Sequence, residues 1–262
     1  MELLFLIVSF LASVVGAICG IGGGVIIKPV LDLLQMGSAT TISFLSGCTV
    51  LSMTTYSVGK SLLAKEKNVD MSTGTPLAIG AAVGGVAGKQ LFSFIKSLFA
   101  NQQMVGAVQA AALAVITVGT LVYTLRKDKI ATRQVTNKLA CVVIGLLLGV
   151  MSSFLGIGGG PINLVVLYYF FSMPTKIAAA NSLYIILFSQ AASLLATIVT
   201  ASVPEFDLLV LVLMVCGGIG GGIAGRAVNK KIDSKAVDKL FIGLMCLIIL
   251  ISIYNTWNCA QG

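Results

Sequence analysis

Two glycine-rich segments of this sequence combine residue types and a spacing that could bind a ligand. The sequence GIGGG occupies residues 20–24 and recurs at residues 156–160. The copies interrupt two long apolar runs, Leu3–Leu34 and Leu139–Phe171. Because a glycine destabilises a helix interior by about 1 kcal/mol, four glycines in five residues should unwind the helix. Inside a bilayer, unwound backbone must be buried in protein or line a wet cavity. Each repeat should therefore open with a re-entrant hairpin or a discontinuous helix pair, followed by three transmembrane helices.

The chemistry that such breaks favour is anion binding. They expose backbone N–H groups and helix N-termini, which carry partial positive charge. We expect pseudo-symmetry to bring the two breaks to one place near the membrane midplane. A dinucleotide-binding loop is excluded, because no strand precedes the glycines and no acidic residue follows at the required distance. Close helix packing through small residues is the alternative interpretation.

Lys28 and Asp32 are a second candidate, since they lie four residues apart on the helix predicted after the first break. At that spacing the two side chains share one helix face, and ionisable residues within a membrane segment are functional by default. The residues 136 positions later, Leu164 and Tyr168, are uncharged. We therefore predict an asymmetric anion site, with a structural ion pair as the alternative.

Polar residues after the breaks complete the predicted site. Asn163 follows the second break, and the others, with Ser189 as a further polar neighbour, lie on the next helix of each half. The predicted substrate-binding residues are Gly20, Gly22, Gly23, Gly24, Lys28, Asp32, Ser46, Thr49, Gly156, Gly158, Gly159, Gly160, Asn163, Asn181, Ser182 and Gln190.

The elements that would position these residues are transmembrane helices. Of the 262 residues, 57% are hydrophobic and only 10% are charged, and the mean hydropathy is +1.03. A soluble domain carries about 25% charged residues, and only helices or closed barrels satisfy the backbone inside a bilayer. The apolar runs are continuous rather than alternating, which predicts an all-α polytopic protein. Besides the two broken segments, the predicted spans are Thr40–Ala64, Thr75–Phe99, Met104–Leu125, Ile177–Thr200, Asp207–Val228 and Leu240–Trp257.

Internal repetition divides the chain into two similar halves. Ser46 and Ser182 keep the 136-residue spacing of the glycine segments, and segment 84–89 recurs at 221–226 with a spacing of 137. We predict a first repeat over residues 1–125, a cytoplasmic linker over 126–138 and a second repeat over 139–262. Two stripes of small residues should form close helix contacts. They are Gly80, Gly84 and Gly88 in the first repeat and Gly217, Gly221 and Gly225 in the second.

The distribution of charge predicts how the chain is oriented. Basic residues concentrate in loops 126–138 and 226–239, and the loop containing Glu205 and Asp207 has none. Since lysine and arginine favour the cytoplasmic side, both basic loops should be cytoplasmic and both termini outside. The first repeat then starts outside and the second starts inside. Inverted-topology repeats of this kind are typical of secondary transporters that work by alternating access.

Several function classes are excluded by the same composition. The formal charge of +8 lies in short loops between spans, which argues against nucleic-acid binding. The sequence has no histidine, and its six cysteines lack the paired spacing of metal or redox sites. We expect no metal, no cofactor and no enzymatic activity. A passive anion channel is the alternative to a transporter, because re-entrant loops also build pores.

In its doubled glycine motif the sequence resembles the sulfite exporter TauE/SafE family. That family repeats a G-x-GGG segment, a following proline and apolar helix, and a small-residue helix containing serine. Residues 20–24 with Pro29 and Ser46 fit this pattern, and residues 156–160 with Ser182 fit it again. Lys28 departs from it, as does Val165, which stands where the second repeat lacks the proline.

The resemblance covers nearly the whole chain and implies transport of small sulfur-containing anions, such as sulfite or organosulfonates, coupled to an ion gradient. It also implies a multi-pass protein of the cell (inner) membrane. The expected partners are a small anionic substrate and the lipid bilayer, without nucleic acid, and a homodimer is a candidate assembly.

Overall fold

The computed structural model of the chain describes residues 2–64, 69–98, 102–157 and 159–261. These residues form ten α-helices and a short 3-10 turn, and none of them lies in a β-strand, which confirms the predicted all-α fold. The helices are α1 (Glu2–Cys19), α2 (Gly24–Leu33), α3 (Ala39–Leu63), α4 (Met71–Leu98), α5 (Gln102–Arg126), α6 (Lys138–Leu155), α7 (Pro161–Phe171), α8 (Thr175–Val199), α9 (Leu208–Lys231) and α10 (Ser234–Gln261).

The two GIGGG segments break their helices as predicted. Gly20 and Gly22 have φ of 75°, and Gly156 and Gly159 have φ of 65° and 124°. Side chains disfavour this left-handed region, so glycine allows α1 and α6 to stop abruptly before α2 and α7 begin. Those two helices have only 10 and 11 residues. At 1.5 Å per residue they are about 15–17 Å long, roughly half the hydrocarbon core of a bilayer.

Seven of the described helices are long and apolar enough to cross a membrane, judged by length and composition. They are α1, α4, α5, α6, α8, α9 and α10. The 25-residue helix α3 has the length but is less apolar. Its buried threonines bond within the helix, since Thr49 donates to the Leu45 carbonyl (2.9 Å) and Thr54 donates to that of Val50 (2.8 Å). The polarity of α3 fits its position, because it borders both of the cavities described below.

Two helix pairs are joined by glycines. α1 packs on α9, and α4 packs on α6. In both pairs, a Cβ added to glycines of the predicted stripes would collide with the backbone of the partner helix, which confirms close backbone contact there. On α4, Gly80, Gly84 and Gly88 face the carbonyls of Val142, Leu146 and Val150. On α9, Gly217 lies against Ser9, and Gly221 and Gly225 face the carbonyls of Phe10 and Val14.

Several major contacts between helices are preserved when the two halves of the chain are exchanged. Replacing each of α1–α5 by its counterpart in α6–α10, and the reverse, turns the α1–α9 contact into α6–α4. It likewise turns α3–α9 into α8–α4, and α2–α10 into α7–α5. All six pairs are in contact, and the counterparts α3 and α8 also pack on one another. The two halves therefore interlock rather than fold side by side.

Contacts between the start of α3 and the chain between α8 and α9 define one end of the helix bundle. The Thr41 hydroxyl donates to the Glu205 carbonyl oxygen (3.1 Å), and the rings of Phe44 and Phe206 lie 5.2 Å apart. The beginning of α3 therefore lies beside the chain between α8 and α9. We call this the acidic end, because Glu205 and Asp207 lie there.

The opposite end carries the basic loops. Lys127 Nζ lies 2.6 Å from Asp238 Oδ2, and the Thr175 hydroxyl donates to the other oxygen of the same carboxylate (2.9 Å). These contacts join the end of α5 to the beginnings of α8 and α10. We call this the basic end.

Candidate functional site

The two glycine breaks contact one another and the helices of the opposite half. A Cβ added to Gly24 would collide with the carbonyl oxygen of Ile157 in the second break. One added to Gly20 would collide with Ala179 on α8, and one on Gly156 would lie 2.6 Å from the Ser43 hydroxyl oxygen on α3. Gly20 and Gly24 therefore serve close packing at the centre of the bundle, which is the alternative interpretation considered for these glycines.

Lys28 lies at the centre of a buried polar cluster. Only 4% of the residue is exposed, and its ammonium donates to the Ser43 hydroxyl and to the Gln109 side-chain oxygen, both at 2.8 Å. Asp32 Oδ2 lies 4.0 Å from the same nitrogen, as the four-residue spacing predicts. The Gln109 amide in turn donates to the Phe154 carbonyl (2.6 Å). The cluster thus connects α2 to α3, α5 and α6.

A small cavity of about 30 Å³ lies beside this cluster, toward the acidic end. That volume admits only one or two water molecules. The ammonium of Lys89 lies 5.6 Å from the centre of the Phe92 ring in the same wall. The residues that line the small cavity are Ser43, Phe44, Lys89, Phe92, Gln109, Ser153, Gly156, Gln190, Ser193, Leu194 and Thr197.

A large cavity of about 470 Å³ opens toward the basic end. Its size is that of a small-molecule binding site. It carries three basic residues, Lys176, Arg226 and Lys230, and Arg226 donates to the Ser57 carbonyl (2.9 Å). No carboxylate occurs among the described residues that line it. They are Ala17, Ser57, Val58, Ser61, Val69, Lys176, Ala179, Ala180, Leu183, Arg226, Asn229 and Lys230.

Some of the predicted site residues are buried at the centre with unused polar atoms. Ser46, Ser182 and Asn163 are almost fully buried, and no described residue hydrogen-bonds to the two hydroxyls or to the Asn163 side-chain oxygen. The Ser46 oxygen lies 3.0 Å from where a Cβ of Gly24 would stand. Gly159, Gly160 and Asn163 border a gap of only about 10 Å³.

Other predicted residues lie elsewhere. Thr49 packs against Gly218 of α9, and the Asn181 side chain accepts the backbone N–H of Asp70 (3.1 Å). Gly23 packs on Ser13 of α1. None of these three described positions borders either of the two cavities. Of the remaining predictions, Gly156 and Gln190 line the small cavity, Gly22 lies in the first break, and Gly158 lies outside the described residues.

Gln109 is the residue that the sequence analysis missed most clearly. A single amide in an apolar helix carries no motif, and its role appears only once α5 is packed against Lys28. The cavity-lining positions Ser57, Ser61, Ser193 and Thr197 carried a usable signal. They form two pairs at the 136-residue repeat spacing, and each pair keeps a hydroxyl.

Comparison with known proteins identifies the group to which this architecture belongs. The family model described as sulfite exporter TauE/SafE matches residues 5–252. The chain belongs to the sulfite exporter TauE/SafE family. Because the match includes both glycine breaks and both halves, it confirms the resemblance carried by the doubled motif.

Two curated relatives of this TauE/SafE protein are similar over almost their full lengths. The probable membrane transporter protein YunE of Bacillus subtilis (strain 168) is 23% identical over 262 residues, covering 94% of each chain. The probable membrane transporter protein MJ0441 of Methanocaldococcus jannaschii is 23% identical over 265 residues, covering 95% of each chain. No solved structure matches the chain significantly. The family and these two relatives identify the protein as a multi-pass membrane transporter and not an enzyme, as predicted.

Proposed function

We propose that this protein is a secondary transporter that moves small sulfur-containing anions, such as sulfite or an organosulfonate, across the cell membrane by alternating access, driven by an ion gradient. The observation that carries the proposal is the large cavity. It combines the three basic residues Lys176, Arg226 and Lys230 with the hydroxyls of Ser57 and Ser61, and no carboxylate lines it among the described residues.

This set of groups suits an oxyanion. Ammonium and guanidinium groups supply only donors and positive charge, and serine hydroxyls can add further donors. The planar guanidinium of Arg226 can hold two oxygens of one anion at once. Sulfite and sulfonates present three oxygens that accept hydrogen bonds, and the name of the family specifies sulfite export. An anion in this cavity would therefore be held by charge and by hydrogen bonds together.

The directions of the helices support an inverted repeat. α1 runs toward the basic end, since the carbonyl of Ile18 near its end accepts from the Asn229 side chain (2.6 Å) on the last part of α9. α6 runs the opposite way, because it ends at Gly156 beside Ser43, near the acidic end. The corresponding helices α1 and α6 thus run in opposite directions, as expected of an inverted repeat. We assign the basic end to the cytoplasm, because lysine and arginine concentrate there.

Closure between the cavities favours a transporter over a channel. Gly20 packs against Ala179 at the inner wall of the large cavity, and Gly24 packs against Ile157 between the two halves. The small cavity on the opposite side holds no more than one or two waters. A substrate entering from the basic end would therefore meet packed protein rather than a continuous pore.

Uptake of radiolabelled sulfite into proteoliposomes tests the proposal. An imposed proton or sodium gradient should drive sulfite above its external concentration, whereas a channel would only equilibrate it. The Arg226→Gln variant should reduce the initial rate about tenfold, because it removes one charge and a bidentate donor from a partly screened site. Lys235→Gln makes the same charge change at an exposed residue of the basic end outside the cavity, and it should retain uptake. Equal losses in both variants, or no accumulation in the native protein, would contradict the proposal.

A further inference from the structure

Most lining positions of the small cavity correspond to lining positions of the large one. The repeat spacings, 136 residues for α1, α3 and their counterparts and 137 residues for α4 and α9, follow from the sequence alone. Applied to the lining residues, they relate eight of the twelve positions of the large cavity to positions that line the small cavity. The pairs are Ala17 with Ser153, Ser57 with Ser193, Val58 with Leu194, Ser61 with Thr197, Ala179 with Ser43, Ala180 with Phe44, Arg226 with Lys89 and Asn229 with Phe92.

The correspondence extends to chemistry. A basic residue occupies one related pair, Arg226 and Lys89, and hydroxyls occupy two others. Each cavity therefore offers a cation and two hydroxyls in equivalent places, although their sizes differ from about 470 to about 30 Å³. Unrelated gaps between helices have no reason to share this set of groups.

We infer that the small cavity is a second anion-binding vestibule, facing the acidic end and closed in this structure. It would open when the two halves exchange conformations, and it would then take the same class of small oxyanion as the large cavity. The inference rests on the proposed function and adds to it the residues of the opposite-facing site. Lys89, Ser193 and Thr197 are assigned to bind the anion there, with Lys28 behind the wall that Ser43 and Gln109 form.

Single cysteines at the related positions Ser61→Cys and Thr197→Cys test the assignment. Both are placed in a chain whose six native cysteines are replaced, and a membrane-impermeant methanethiosulfonate that bears a sulfonate is the probe. Ser61→Cys should react only from the cytoplasmic side and Thr197→Cys only from the outside. Val203→Cys, on an exposed residue of the acidic end, is the control that should react from outside in every background.

Bulky residues should then trap each state. Ser57→Trp fills the large cavity and should keep it from closing, which should slow outside labelling of Thr197→Cys at least tenfold. Ser193→Trp fills the small cavity and should slow cytoplasmic labelling of Ser61→Cys by a similar factor. Phenylalanine replaces tryptophan at either position if the tryptophan variant does not elute as a monodisperse protein. Reciprocal slowing with an unchanged Val203→Cys rate supports the inference.

Two outcomes would overturn it. The first is labelling of Thr197→Cys from the cytoplasmic side, or no labelling from either side. The second is a labelling rate of Ser61→Cys that changes with neither tryptophan nor phenylalanine at position 193. The labelling does not require sulfite transport, so the two proposals fail separately. A protein with reciprocal labelling that accumulates no sulfite would refute the proposed substrate and keep the second vestibule. A protein that accumulates sulfite without reciprocal labelling would refute the second vestibule and keep the proposed substrate.

Discussion

Replacing Lys28 with methionine should weaken anion binding severely, because this ammonium is a buried charge directly behind the wall of the small cavity. It is 4% exposed and bonds to Ser43 and Gln109, which line the small cavity. An anion about 6 Å away would gain roughly 2–3 kcal/mol from that charge at an effective dielectric constant near 20. Since about 1.4 kcal/mol is a factor of ten in affinity, the dissociation constant for sulfite should rise about 30- to 150-fold.

The fold should also lose stability, for a reason that can be tested separately. Methionine leaves the buried Gln109 oxygen without its charged donor, which costs about 1–3 kcal/mol, and it removes the cation 4.0 Å from Asp32. Ser43 loses less, because its hydroxyl also donates to the Ala39 carbonyl (2.6 Å). The Lys28→Met/Asp32→Asn double variant should therefore melt at a higher temperature than Lys28→Met, since it does not strand a carboxylate.

Equilibrium binding of radiolabelled sulfite to detergent-purified protein measures the affinity, and thermal unfolding measures the stability. Lys239→Met removes the same charge from an exposed position at the basic end and should change neither quantity substantially. Asp32→Asn should keep sulfite binding and impair turnover. An unchanged sulfite affinity in a folded Lys28→Met protein would refute the reasoning and leave Lys28 and Asp32 as a structural ion pair.

Two further predictions concern backbone packing and a helix end. Gly24→Ala should destabilise the protein by about 1–3 kcal/mol and abolish sulfite uptake, because the added Cβ would collide with the second glycine break. The control Gly59→Ala should be tolerated, because a Cβ there meets nothing within 4 Å. Equal melting temperatures of the two variants would contradict the prediction. Hydrogen bonds from Ser72 and Thr73 lower the pKa of the Asp70 carboxyl, which precedes α4. The ionised Asp70 therefore stabilises the folded protein above its ordinary pKa of about 4, and this stabilisation is lost as pH falls through the lower pKa of the folded state. The native protein should melt at a higher temperature than the Asp70→Ala variant, and the difference should be largest near neutral pH and shrink below about pH 4.

Most of the fold could be predicted from the sequence, because the apolar runs that specify it are long and the glycine segments are repeated. Runs of twenty apolar residues leave few alternatives to membrane helices, and the glycine segments interrupt α1 and α6 where predicted. α3 is the partial exception. It has the predicted length, yet its many hydroxyls make it less apolar than the seven helices that qualify by composition. α3 carries these hydroxyls because it borders both cavities. Hydropathy along the chain does not distinguish a helix that borders a cavity inside the protein from one that is exposed to solvent.

The candidate site was predicted less completely, because helix-to-helix register decides it. Lys28 and Gln190 were chosen from their polarity and lie at or beside the small cavity. Thr49 and Asn181 were chosen on the same ground but face Gly218 and Asp70 instead. A helix presents a new face every residue, so one polar residue does not show which neighbour it meets. The repeat spacing carries more information, because it relates cavity-lining positions in pairs.

Repetition accounts for the scaffold of the two cavities but not for their charges. Arg226 corresponds to the basic Lys89, whereas the other two cations of the large cavity, Lys176 and Lys230, correspond at the repeat spacings to the neutral residues 40 and 93. The lining residues alone therefore offer an anion three positive charges in the large cavity and one in the small cavity. In the proposed alternating-access cycle, a large difference in affinity between the two cavities would favour retention of the anion on the more basic side. Lys28, which has an uncharged counterpart in Leu164, adds a buried cation beside the poorer cavity, and burial makes that single charge more effective than an exposed one. If both cavities bind the anion as proposed, we expect the asymmetric lysine to bring the two half-sites closer in affinity.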